Sequence, residues 1–393
     1  MESDRFRSAR TAIARDYDRI VETIVSLTEV PAPPFGEQAR GVLYRQMLVQ
    51  AGLHDVQTDA EGNVFGFRRG TGRGPLVVVA AHLDTVFPAG TPVKVIRHGD
   101  TLRAPGIGDD TASLSVLLAI ARAMDAAQFR TNADILFLGD VGEEGPGNLR
   151  GIRYLFEKSA LKDRIAAFIS FEPDRAGVIT NGGVGSKRYQ VTFRGPGGHS
   201  YEDFGLVSPA YAMADAMTQI GAMPLPAKPK TTASVGLIEG GTSVNAIPAL
   251  TTMSVDIRSE DGAALTRADA AFNAILPQAV ARENAVRSTK AGSITYATHL
   301  VGDRPGGKTS RDSNIVKIAA AAAKASGIAV AYEASSTDSN LPMSRGVPAI
   351  TLGAGFAVSR THSLEEELTL DRDRDIAGIA VGLATILLLA GLQ

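Results

Sequence analysis

Residues 133–142 read ADILFLGDVG, and the texture of that stretch decides the fold. Ile135 to Leu138 is apolar without alternation, the mark of a strand buried on both faces. The same texture recurs on either side. PLVVVAAHLD (75–84) comes before it, followed by the helical run ASLSVLLAIARAMDAA (112–127). AAFISFE (166–172) comes after it, beyond a helix around Leu149 to Leu161. Unbroken apolar strands, each followed by a helix, predict an α/β fold with a mostly parallel sheet and helices on both faces.

Further out, Ile13, Tyr17, Ile20, Val21, Ile24 and Leu27 fall at helical spacing until VPAPPFGE (30–37) ends the run, and a second helix spans roughly Glu37 to Ala51. Near Gly183 the pattern changes. SKRYQVTFRG (186–195), TTASVGLIEGG (231–241) and LTTMSVDIRS (250–259) alternate polar and apolar residues, as half-exposed strands do. Helices are expected over 209–220 and 263–281. After ATHLVGDRPGG (297–307) the alanine-rich helix and buried-strand texture returns, in IAAAAAKASGIAV and VPAITLGAG. The expectation is an α/β domain over residues 1–184 and 301–393, interrupted by an α+β domain over 185–300.

Composition narrows the function. The chain has 393 residues, 44% apolar and 21% charged, with a net charge of −2 and no cysteine. That charge gives no electrostatic case for nucleic acid or an anionic membrane. Without thiolates, any metal must be held by imidazole and carboxylate. The first twenty residues are charged from the second onward, which argues against a secretory signal. DIAGIAVGLATILLLAGLQ (375–393) is nearly long enough for a membrane span, but its glycines and alanines favour a buried helix. A cytoplasmic protein is the expectation.

Open α/β sheets bind ligands beyond the carboxyl ends of their strands. His82 and Asp84 end one strand, Asp109 and Asp110 sit in a glycine turn before a helix, Glu143 and Glu144 follow another strand, and Glu172 ends a third. His362 follows the turn LGAG, residues 352–355. His82 alone reads most simply as a hydrogen-bonded structural histidine, and two glutamates on a turn as solvated surface. Their coincidence is the signal: so many acids at one sheet edge are tolerable only if cations neutralise them. Glu144 then suits a metal ligand and Glu143 a base that takes a proton from metal-bound water, while Asp84 suits holding the other nitrogen of His82.

Taken in order, AHLDTVFP, APGIGDD, VGEEG, SFEPD, GPGGHS, GGTSVNAIPA with DIR, and SSTDSN with GAG and THS resemble the co-catalytic zinc carboxypeptidases and aminoacylases. That family includes carboxypeptidase G, peptidase T, succinyl-diaminopimelate desuccinylase and acetylornithine deacetylase. The resemblance runs from about Val30 to Glu367. It implies two divalent ions, zinc first with manganese or cobalt as alternatives, bridged by Asp109. His82 and Glu172 complete one shell, Glu144 and His362 the other, with Asp84 orienting His82 and Glu143 as the base. It further implies an inserted lid or dimerisation domain whose His199 stabilises the oxyanion in the partner subunit's site. Asn245 and Arg258 would bind the substrate carboxylate, and the turn at Gly353 would add backbone donors. Asp110 and Asp174 are not counted as ligands. One departure from the pattern is Thr111, where the family carries lysine.

The implied protein is a homodimeric metallohydrolase that cleaves a peptide or amide bond beside a free carboxylate, acting on small peptides. An N-acyl-amino-acid deacylase is the alternative, and a non-catalytic metal- or peptide-binding relative the rival from another class.

Overall fold

The computed structural model describes residues 3–72 and 75–393, so the first two residues of the charged amino-terminal stretch lie outside it. The chain divides into two compact units, Met1–Gly183 with Lys308–Gln393, and Val184–Gly307.

In the first unit the sheet runs His54–Thr58, Val64–Arg68, Asp134–Asp140, Leu76–His82, Ile165–Glu172, Ala349–Gly353, Val178–Gly183. The strands from Asp134–Asp140 to Ala349–Gly353 are parallel, and antiparallel neighbours flank them on both sides. Alternation across the sheet explains the unbroken apolar strands. Val77, Val79 and Ala81 enter one core with the helices Thr111–Ala126 and Arg372–Ala390, while Leu76, Val78 and Ala80 enter another with Ile152 and Leu155 of Arg150–Glu157. Each large apolar side chain so buried contributes roughly 1.5–3 kcal/mol, which leaves no room for a polar face.

Parallel strands bring their carboxyl ends to one edge. His82, Asp140, Glu172 and Gly353 are the last residues of four adjacent strands, with His82 opposite Asp140 and Glu172 opposite Gly353 in register. The sequence thus delivers its polar residues where the apolar strands stop.

The carboxy-terminal apolar run is the helix Arg372–Ala390, buried along much of its length from Ile376 to Leu387. Gly378 lets it approach closely, because a Cβ there would come 2.6 Å from the Cα of Gly355. Among the described residues no helix is long and apolar enough to cross a membrane. The amino-terminal helical run is two helices, Asp4–Arg15 and Tyr17–Thr28, broken at Asp16. Asp16 caps the first helix and accepts a hydrogen bond from Arg122 Nε at 2.7 Å, which anchors the break to the core helix.

The second unit carries an antiparallel sheet in the order Thr231–Gly240, Leu250–Ser259, Gly185–Arg194, Thr295–Arg304. Helices Pro209–Gly221 and Gly262–Val286 cover one face. Val191, Phe193, Val255 and Ile257 point to Phe272, Leu276 and Ala216 on that face, which is why every second strand residue is apolar. The last strand stays paired with Gly185–Arg194 through Arg304, so residues 301–304 are held in this sheet, beyond the boundary expected at 300.

Candidate metal centre

The site grows from the strand ends of the first unit. Asp109 lies between two imidazoles, its Oδ1 2.9 Å from His82 Nε2 and its Oδ2 3.1 Å from His362 Nε2. Glu144 Oε1 is 2.8 Å from the same nitrogen of His362. Glu172 joins His82, Asp109 and Asp110 in a group whose ligand atoms all lie within 4.8 Å of one another, and His82, Glu143 and Glu144 meet the same limit. His82, Asp109, Glu144, Glu172 and His362 are therefore brought together, with Glu143 and Asp84 among them.

Local structure fixes each loop. Asp84 accepts from three successive amides, Gly142 at 2.9 Å, Glu143 at 3.1 Å and Glu144 at 2.9 Å, so one buried carboxylate locks the double-glutamate turn. His82 Nδ1 is 3.0 Å from the Asp84 carbonyl and 3.7 Å from its Oδ1; the shorter contact makes Nδ1 the protonated nitrogen in the neutral ring and turns Nε2 toward Asp109. Behind this turn lies Arg40, fully buried, donating to the carbonyls of Val30 at 3.1 Å and Leu83 at 2.8 Å. Thr111, the departure from the family pattern, is buried. Its hydroxyl bonds the carbonyls of Gly106 and Ile107 at 3.0 Å each and lies 2.8 Å from that of Thr28, tying the Asp109 turn to the helix end. His362 itself takes a left-handed backbone, φ 64°, a conformation that costs a non-glycine residue about 1–3 kcal/mol and clusters at functional sites.

Electrostatics set this edge apart. Burial raises Glu144 to about 7, helped by Glu143 and Asp109. Burial likewise raises Glu172 and Asp110 well above the carboxylate range. Hydrogen bonds to Asp109 and Glu144 lift His362 to about 10. Burial opposes a charged His82, yet Asp110, Asp109 and Asp84 outweigh it and hold the ring well above its ordinary value. Without metal, then, protons sit between these nitrogens and oxygens. Divalent cations fit the same positions: the donors are imidazole and carboxylate alone, and the buried negative charge exceeds what two imidazoles balance.

Several participants have no role assigned from sequence. Asp110, set aside as a ligand, lies within the group around His82 and accepts the His82 amide at 3.1 Å. Asp140 and Asp338 are a buried acidic pair; burial lifts Asp140 to about 7 and Asp338 higher than usual, so the pair retains a proton. Glu366 accepts amides of the Asp109 turn. The turn at Gly353 is closely packed. A Cβ there would come 2.3 Å from the Arg175 carbonyl, so glycine is required, but the amides of Ala354 and Gly355 are already donated to the carbonyls of Glu172 and Asp174 at 2.9 and 3.1 Å. This turn anchors Glu172, and those two amides are not open to a substrate.

The other candidates belong to the second unit. His199 is exposed on a short ribbon in which it pairs with Ala246, and the Ser200 amide donates to the Asn245 carbonyl at 3.0 Å. His199 Nδ1 accepts the amides of Tyr201 and Glu202 at 3.3 Å each, which places the proton of the neutral ring on Nε2. Arg258 pairs with Asp256 at 2.6 Å, an acid that Arg188 also approaches at 3.3 Å.

The chain belongs to peptidase family M20/M25/M40, whose model matches residues 78–388. A probable carboxypeptidase of Aspergillus oryzae is 28% identical over 238 residues, 55% of this chain and 54% of that protein. The chain thus spans about half the length of the curated relatives it matches. Among solved structures, a tripeptidase of Staphylococcus aureus superposes with a TM-score of 0.77 at 21% identity, over 94% of this chain and 98% of that one. A dinuclear metal binding peptidase of Bacillus subtilis gives 0.68 at 16% identity, over 97% and 99%. These two likenesses are of fold.

Proposed function

We propose that this protein is a dinuclear metal-dependent hydrolase that cleaves a peptide or amide bond beside a free carboxylate. The observation that carries the reading is Asp109 held between His82 and His362, each with its own acidic neighbour, Glu172 and Glu144. Asp109 would be shared by two ions, with His82 and Glu172 holding one and Glu144 and His362 the other; zinc is the first choice and manganese or cobalt suit the same donors. The ions would supply positive charge that polarises a carbonyl and acidifies water.

The side chains divide the remaining work. Glu143, whose amide Asp84 fixes, takes a proton from the attacking water and returns it to the departing amine. His199 offers an Nε2–H to the oxyanion, and in a homodimer formed through Val184–Gly307 it serves the partner's site. Arg258 suits the substrate carboxylate because its planar fork pairs two oxygens at once, and Asn245 is given the same role. The substrates favoured are di- and tripeptides, on the family membership and the peptidase neighbours.

A panel of di- and tripeptides, C-terminal carboxypeptidase substrates and N-acetyl amino acids, assayed with and without a chelator, tests the reading. Chelator-sensitive hydrolysis of the peptides supports it. Turnover of the N-acetyl amino acids alone moves the enzyme to the deacylases, and inactivity on every member with metal bound returns the non-catalytic rival. Sedimentation tests the homodimer: full activity from a strict monomer removes the role given to His199 in a partner's site.

A further inference from the structure

Two buried carboxylates act in parallel on two different ligand loops. Asp84 gathers the amides of the Glu143–Glu144 turn. Glu366 does the same for the turn of Asp109, accepting the amides of Gly106 at 3.1 Å, Gly108 at 2.8 Å and Asp109 itself at 2.9 Å. Its own carbonyl accepts the Ala104 amide at 3.1 Å, and its amide closes on the Ser363 carbonyl at 3.2 Å. The flanking acids behave otherwise: Glu365 is exposed, and both Glu365 and Glu367 pair with Arg103. Glu366 is wholly buried, and among the described residues its oxygens are met by amides and by no side-chain cation.

The two ends of this clamp matter. One is the segment that carries His362, four positions earlier in the chain; the other is the turn that carries Asp109. These are the residues whose side chains meet at 3.1 Å. A carboxylate suits the task because its two oxygens accept all three amides at once.

We propose that Glu366 is a positioning residue of the metal centre: it sets the Asp109 turn against the His362 segment, so that one carboxylate reaches both ions. The inference rests on the dinuclear reading above. Glu366 touches no reacting atom. It acts through the direction it gives Asp109, and losing it should weaken metal at the Glu144–His362 position before the His82–Glu172 position, because His82 is held independently by Asp84 and the strand end.

The test is zinc per chain, by plasma mass spectrometry after dialysis at graded free zinc, with thermal melting of each metal-free variant as the check on folding. Glu366→Ala should hold one zinc where the wild type holds two, with the second affinity down about 10–100-fold, the usual effect of removing a partner of a ligand. Glu366→Gln keeps an oxygen for Gly108 and Asp109 but turns a donor on Gly106, and should fall between the two. Glu365→Ala should match the wild type throughout. If Glu366→Ala fails to fold, Glu366→Gln decides. Two zinc ions at wild-type affinity in either folded Glu366 variant would overturn the inference and leave the hydrolase reading standing. A wild type that takes up no divalent metal would sink both.

Discussion

The two units treat their polar residues in opposite ways. In the first, His82, Asp84, Asp109, Asp110, Glu143 and Glu144 are buried, and each is held by a backbone or side-chain partner or shifted by its neighbours. In the second, His199 and Asn245 are exposed, and their side chains bond groups within three positions along the chain. A buried charge must be accounted for within its own surroundings, so the first unit declares a chemical purpose by itself. An exposed histidine in water has no such obligation. Its purpose, if it has one, is realised only when something else arrives.

The sharpest way to break that contrast is Glu143→Ala. Turnover should fall about 10²–10⁴-fold, the contribution expected of a general base, while zinc content stays at the wild-type level. Loss of metal along with activity would mean Glu143 is a ligand and the division of labour between the paired glutamates is wrong. Next in size is Phe272→Ala, which removes a fully buried ring from the core of the second unit. It should destabilise that unit by about 3–5 kcal/mol in denaturant unfolding, and zinc held by the first unit should be unaffected.

The metal-free protein offers a subtler check. Glu144 titrates at about 7 when folded against an ordinary value of 4.5, so the unfolded chain loses its proton first. Stability should therefore fall as pH rises from about 4.5 to about 7, and melting temperature followed across that range with chelator present should show it. With zinc saturating, the carboxylate is wanted in its charged form and the fall should be absent or reversed. The smallest expected change is in stability for His199→Ala, within about 0.5 kcal/mol of the wild type by melting, because the residue is exposed. Its kcat should nevertheless drop, and an unchanged kcat would remove the oxyanion role given to His199.

How much of this was legible beforehand follows the same division. Strand ends could be read because an apolar run that stops at a histidine or an acid is a strong local pattern, as in VVVAAH and ISFE. Glu366 could not, since the middle of three consecutive glutamates looks like solvated surface until the backbone turns one of them inward. Asp140 and its partner Asp338 come from distant segments that only the fold brings near. The break at Asp16 escaped because the helical spacing of apolar residues continues across it, and the contact Asp16 makes with Arg122 comes from a distant segment. Asp110 was set aside by analogy with the family pattern; its burial beside His82 is a property of three dimensions.

The carboxy-terminal helix acquires a purpose beyond filling space. Gly378 rests on Gly355, whose amide grips the Asp174 carbonyl, next to the Ala354 amide that grips Glu172. A methyl group added at position 378 would press, through one glycine, on the loop that aims a carboxylate at the proposed metal centre. A change some two hundred residues downstream of Glu172, with no polar atom of its own, could in this way retune how firmly the protein keeps its metal.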